Sequence, residues 1–112
     1  MLEQHALYAK EKLRRAVEIM ATHPGDIRQR LKAASKEIML IPQSGIPTYE
    51  AFDEDIKWIQ EQISRREPRF EGQGRISATL HGMRTKRGIE IAERIITAES
   101  KITVYVEAHF RA

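Results

Sequence analysis

The side chains able to do chemistry in this chain are mostly arginines, and they cluster. Residues 65–88 carry Arg65, Arg66, Arg69, Arg75, Arg84, Lys86 and Arg87 against Glu67 and Glu71, a net of +5. The block just before it, residues 48–64, carries Glu50, Asp53, Glu54, Asp55 and Glu61 against Lys57, a net of −4. Blocks of opposite sign either pair with each other inside the fold or present a bipolar surface to a partner. Exposed ion pairs contribute only about 0–1 kcal/mol each, so stability alone is a poor reason for such blocks. A solvated surface is the plainer reading of the two blocks; as a binding surface, the seven cations are the candidate residues, suited to phosphate.

A sharper version of anion binding sits within the basic block. Gly72-Gln73-Gly74-Arg75 precedes an expected helix start at Ser77, where free N–H groups and the helix dipole favour an anion. It has neither the Walker spacing nor the third glycine and preceding strand of a dinucleotide fingerprint, so a connecting loop is the plainer reading. Ala78, Gly82 and Ile89 resemble the small residue, turn glycine and buried aliphatic of a helix-turn-helix, with Arg84, Lys86 and Arg87 around the turn. In that alignment the glycine falls within the expected helix and the aliphatic comes one position late. The aromatic interleaving that marks single-strand stacking is limited to Phe70.

Catalysis has less to work with. His5, His23, His81 and His109 are dispersed and form no His-x-x-x-His or His-Glu-x-x-His pattern. The carboxylates Asp53 with Glu54, or Glu90 with Glu93, lack the Glu-x-x-His partners of a di-iron site. Ser44, Ser64, Ser77 and Ser100 stand outside nucleophile-elbow contexts. His81, beside the basic loop, is the one candidate general base, and a packing or surface role is its plainer reading. No catalytic residue, metal site or cofactor is expected.

The elements that position these residues read as helices. In a first helix over Leu2–Thr22, Leu2, Ala6, Ala9, Leu13, Ala16 and Met20 share one face. His23-Pro24-Gly25 breaks it, and Asp26 is placed to cap a second helix from Ile27 to about Ile41, with Leu31, Ala34 and Ile38 on its seam. A loop over residues 42–47 follows. Thr48 then caps a third helix to about Arg66, with Tyr49, Phe52, Ile56, Ile59 and Ile63 inward and Trp58 beside them. A short helix from Ile76 or Ser77 to Arg84 uses Ile76, Leu80 and Met83. Thr85-Lys86-Arg87-Gly88 is either a turn or a weak point in a longer helix. Ile91, Ile95, Ala98, Ile102 and Tyr105 form its further face. The β-branched run Ile102–Val106 also fits a strand, but a lone strand would have no partner, which favours helix.

With 112 residues, one domain is expected: an all-α compact bundle of four to five helices, its C-terminal tail the least defined part. The chain has no cysteine, which fits a reducing compartment. Its longest apolar run, Ile38-Met39-Leu40-Ile41, is far short of the roughly 20 residues a membrane span needs. The basic first helix has an alanine-rich face with few bulky groups, so packing explains it better than a membrane surface.

Gly25-Asp26-Ile27-Arg28-Gln29-Arg30-Leu31, Asp55–Ile59, Gly74–Leu80 and Ile91–Ile95 together resemble a group of small bacterial proteins of unknown function. The resemblance covers roughly Lys10 to Ile96. It implies a bacterial or mobile-element origin and a cytoplasmic setting, and it brings no activity. The reading that follows is a small cytoplasmic binding or regulatory protein. Its first partner class is protein, met through the acidic third helix and the basic block, with self-association allowed. Nucleic-acid binding through Arg65, Arg66, Arg69, Arg75, Arg84, Lys86 and Arg87 is the alternative, and an enzyme comes third.

Overall fold

The computed structural model describes residues 2–44 and 50–110. The expected cap at Thr48, the seam residue Tyr49 and the loop positions Gly45, Ile46 and Pro47 lie outside them, as does the side chain of Leu2. Five helices follow one another: α1 (Leu2–Thr22), α2 (Ile27–Met39), α3 (Glu50–Ser64), α4 (Arg75–His81) and α5 (Thr85–Phe110). The described residues contain no strand. The fold is an all-α bundle.

α2 and α5 form its centre, each packed against the other and against both α1 and α3. The buried faces are largely the expected ones: Ala6, Ala9, Leu13, Ala16 and Met20 from α1, Leu31, Ala34 and Ile38 from α2, Phe52, Ile56, Ile59 and Ile63 from α3. The alanines of α1 bring its backbone close to α2 and α5, which accounts for a face short of bulky residues. No described helix is long and apolar enough to cross a membrane.

Local signals account for where α2 begins. Asp26 Oδ1 accepts from Gln29 N at 3.1 Å and Gln29 Oε1 accepts from Asp26 N at 2.8 Å, a reciprocal capping box. Gly25 at φ +105 turns the chain into it, a conformation that L side chains rarely adopt. Arg30 reaches back to Met20 O and Gly25 O, both at 3.0 Å, and so caps the carbonyl end of α1.

Helix ends are set from a distance, and here the structure departs from the expected boundaries. α2 stops at Met39 rather than Ile41, because Pro42 disfavours helical geometry at Ile41 and Gln60 of α3 takes the freed carbonyls, donating to Ile38 O at 3.1 Å and Ile41 O at 2.8 Å. α3 stops at Ser64 rather than Arg66. Ser64 O accepts from Arg75 Nε and Arg66 N donates to Thr79 Oγ1, each at 3.0 Å, so α4 holds the end of α3. α4 ends at His81, three residues earlier than expected, and Gly82 is its C-cap.

The tail is helix through Phe110, so the strand alternative is set aside. Ile102 and Val106 lie one turn apart and both are buried, whereas Tyr105, expected on the seam, is only half-buried. Burial of that pair outweighs the weak strand preference of the run. α5 also starts at Thr85, so the 85–88 segment is its first turn and not a break.

Candidate anion-binding interface

The three-residue connection from α4 into α5 brings the arginines together. Arg65 and Arg66 leave the end of α3, while Arg84 and Arg87 flank the start of α5. All four line one cleft of about 440 Å³ with Gln62, Thr79, Gly82 and Met83. Arg87 donates to the Gln62 amide oxygen, pairs with Glu90 at 3.1 Å and lies over the Trp58 ring, 5.2 Å from its centroid. Arg65 Nη1 approaches the same amide oxygen at 3.5 Å. Gln62 thus gathers two guanidinium groups with a neutral acceptor, which leaves their charge in place. Gly82 makes room for Arg66: a Cβ there would come within 2.7 Å of Arg66 Nη1.

The acidic block does not neutralise this cleft. Asp55 accepts from Arg94 Nε at 3.0 Å and from Lys101 Nζ at 2.7 Å, both on α5. Asp53 accepts from Ser44 N at 3.0 Å and Ser44 Oγ at 2.6 Å. Both aspartates are buried. The expectation that α3 offers its acids to a partner is corrected for these two, which serve the interior, while Glu54 and Glu61 stay exposed. Among the described residues no carboxylate lies within ion-pair range of Arg65, Arg66 or Arg84. Four cations share a cleft, with one acid, Glu90, on one of them.

No protein-family model, curated protein or solved structure matches this chain.

The remaining candidates fall differently. Arg75 stays exposed but is engaged along the surface, donating to Ser64 O and pairing with Glu67 at 2.6 Å, so it does not crown the start of α4 as an anion ligand. Seven residues of α4 and a Gly74 N-cap without a side-chain bond complete a structural connection. Arg69 and Lys86 are exposed outside the cleft. The helix-turn-helix alignment gains its turn, since Gly82 is at the helix end and not within it. It loses its packing, however: α4 rests on α2 and α3 rather than on α5, and Gly88 lies against Ile27 of α2.

The histidines stay apart. His5 Nε2 lies 2.8 Å from Pro42 O, His23 Nδ1 2.7 Å from Pro24 O, and His109 stacks on Tyr105 at 4.1 Å between centroids. His81 does line a second cleft, with Asp26, Arg28, Gln29, Lys32, Gln73 and Ser77. The acid in that cleft is already engaged. Gln29 N–H and the Arg28 guanidinium hold the Asp26 carboxyl below the usual aspartate range, in that order of effect. Among the described residues no three His, Asp or Glu side chains gather as metal ligands.

Gln62 is the site residue that sequence reasoning missed. The only signal was its position three before Arg65, at the end of α3; its partner Arg87 is 25 residues away.

Proposed function

We propose that this protein binds nucleic acid, with Arg65, Arg66, Arg84 and Arg87 contacting phosphates across one cleft. The observation that carries the reading is the gathering of these four guanidinium groups while Asp53 and Asp55 are engaged elsewhere in the fold. Guanidinium is planar, always charged and matched to phosphate oxygens, and four arginines in one concavity, three of them without an ion-pair partner, raise the local potential for a polyanion. Arg69 and Lys86 extend the basic surface beyond the cleft. A cytoplasmic setting goes with this reading, and it assigns no reaction.

Four phosphate contacts predict that log K falls with log salt at a slope of about −3 to −4. The test is fluorescence anisotropy with labelled duplex and single-stranded oligonucleotides across a salt series, beside a variant carrying Arg65→Gln, Arg66→Gln and Arg84→Gln. Micromolar binding whose slope shrinks by about 2–3 in the variant supports the reading, three contacts having been removed. Binding that is absent at low salt, or unchanged by the triple substitution, removes it.

A protein partner remains the second reading, on a different face. Ile96 and Val104 stand 50% and 68% exposed along α5, and Val104 and Ala108 line a shallow apolar hollow edged by Lys101 and His109. Sedimentation at rising concentration, with and without Val104→Lys, tests the simplest version, a second copy of this chain.

A further inference from the structure

Phe70 is the most solvent-exposed aromatic side chain among the described residues, 65% exposed in the middle of the basic block. A single exposed apolar residue is ordinary on a protein surface, so exposure by itself decides nothing. What distinguishes Phe70 is how it is held and what surrounds it. The turn Phe70-Glu71-Gly72-Gln73 is closed by Gln73 N donating to Phe70 O at 3.2 Å. Gly72 at φ +90 supplies the positive-φ third position that such a turn requires. A second bond, Arg69 N to Gln73 Oε1 at 2.7 Å, ties the preceding residue to the same turn. The ring is thus presented on a fixed loop.

Its two chain neighbours are of opposite charge, Arg69 before it and Glu71 after it. Arg66 of the cleft is four residues back, within about 14 Å of chain. Glu71 beside it is the one acid of the loop without an ion-pair partner, since Glu67 is paired with Arg75. An exposed ring on a bonded turn, at most about 14 Å of chain from a cleft arginine, matches the platform on which unpaired bases stack, an interaction indifferent to base identity. A duplex hides the faces of its bases, so the ring has a partner only when the strand is single.

Resting on the nucleic-acid reading above, we infer that the ligand is a single strand whose phosphates cross the arginine cleft while a base stacks on Phe70. The probes are labelled single-stranded DNA and RNA 12-mers, the matching duplexes, and an abasic 12-mer that keeps the phosphates without the bases. Each is titrated with the wild-type chain, Phe70→Ala, Phe70→Leu and Phe70→Tyr, with circular dichroism confirming the helical fold of each.

Loss of the ring in Phe70→Ala and Phe70→Leu weakens single-strand binding about 5- to 100-fold, and Phe70→Tyr retains it. Affinity for the duplexes and the abasic strand is the same in all four proteins. The DNA and RNA arms show whether the 2′-hydroxyl contributes. If Phe70→Ala binds single strands as wild type does while the triple arginine variant does not, the stacking role falls and the nucleic-acid reading stands. A wild-type preference for duplex over single strand likewise overturns this inference alone. Absence of binding to every probe at low salt overturns both.

Discussion

Asp55 lets the interior electrostatics be tested by an asymmetry. Its carboxylate is 7% exposed, yet its two partners, Arg94 at 3.0 Å and Lys101 at 2.7 Å, are 43% and 49% exposed. The groups therefore differ in what each loses when left alone. In Asp55→Asn the cations turn back to water and the amide oxygen still accepts one bond. A charge-assisted pair with half-exposed partners then gives a loss of about 1–2 kcal/mol. In the double variant Arg94→Met and Lys101→Met the apolar stems are kept, and a buried carboxylate loses both donors. That loss is about 3–5 kcal/mol, since an uncompensated buried charge is the costly outcome. Arg94 also lies 4.7 Å from the Trp58 centroid, which adds about 0.5–1 kcal/mol to the double variant. Adding Asp55→Asn to the double variant removes the stranded charge and recovers about 1–3 kcal/mol.

The assay is urea unfolding at pH 7 followed by circular dichroism, comparing midpoints at constant m. The expected order of stability is wild type, Asp55→Asn, the triple variant, then the double variant. If the double variant is no less stable than Asp55→Asn, or if the third substitution destabilises it further, the account of Asp55 as a buried, doubly bonded carboxylate is wrong.

Two further predictions concern single sites. In Gly82→Ala, the new methyl group meets only the far end of the flexible Arg66 side chain, and the backbone there (φ −99) suits any residue. Stability is expected to stay within about 0.5 kcal/mol, while oligonucleotide binding weakens because Arg66 is displaced; unchanged affinity would remove Arg66 from the interface. Asp26 gives a pH dependence: its carboxyl is held low by Gln29 N–H and Arg28, so the native state binds its proton less readily than the unfolded chain. Its stabilisation is complete above the ordinary aspartate pKa and is lost as pH falls below about 4. Thermal unfolding of wild type against Asp26→Asn, which retains an N-cap acceptor but does not titrate, should show a difference that is flat above about pH 5 and changes below 4. A difference that stays flat down to pH 2 would contradict this.

Much of the bundle was legible in the residues themselves. The seams Leu13-Ala16-Met20, Leu31-Ala34-Ile38 and Ile56-Ile59-Ile63 repeat at helical spacing, and the Asp26 cap acts over three residues, so both are properties of short stretches of chain. What lay beyond that reach depended on residues distant in sequence. Gln60 ends α2 from 19 and 22 residues away, and Arg75 and Thr79 end α3 from the next helix, so two boundaries were drawn too long. The β-branched tail became helix because its register buries Ile102 and Val106 in a core supplied by other helices.

Charge shows the division most clearly. The two blocks of opposite sign were plain in the sequence, but whether they cancelled was not. Asp55 reaches its cations across 39 and 46 residues, on α5 and not in the basic block. Of the seven cations in that block, Arg65, Arg66, Arg84 and Arg87 converge, while Arg75 turns onto Ser64 and Glu67. Helices arise from bonds and spacings of three and four residues, which a sequence displays directly. Ion pairs and clefts arise from distances of a few ångströms between side chains on different helices, and those distances exist only once the helices have packed.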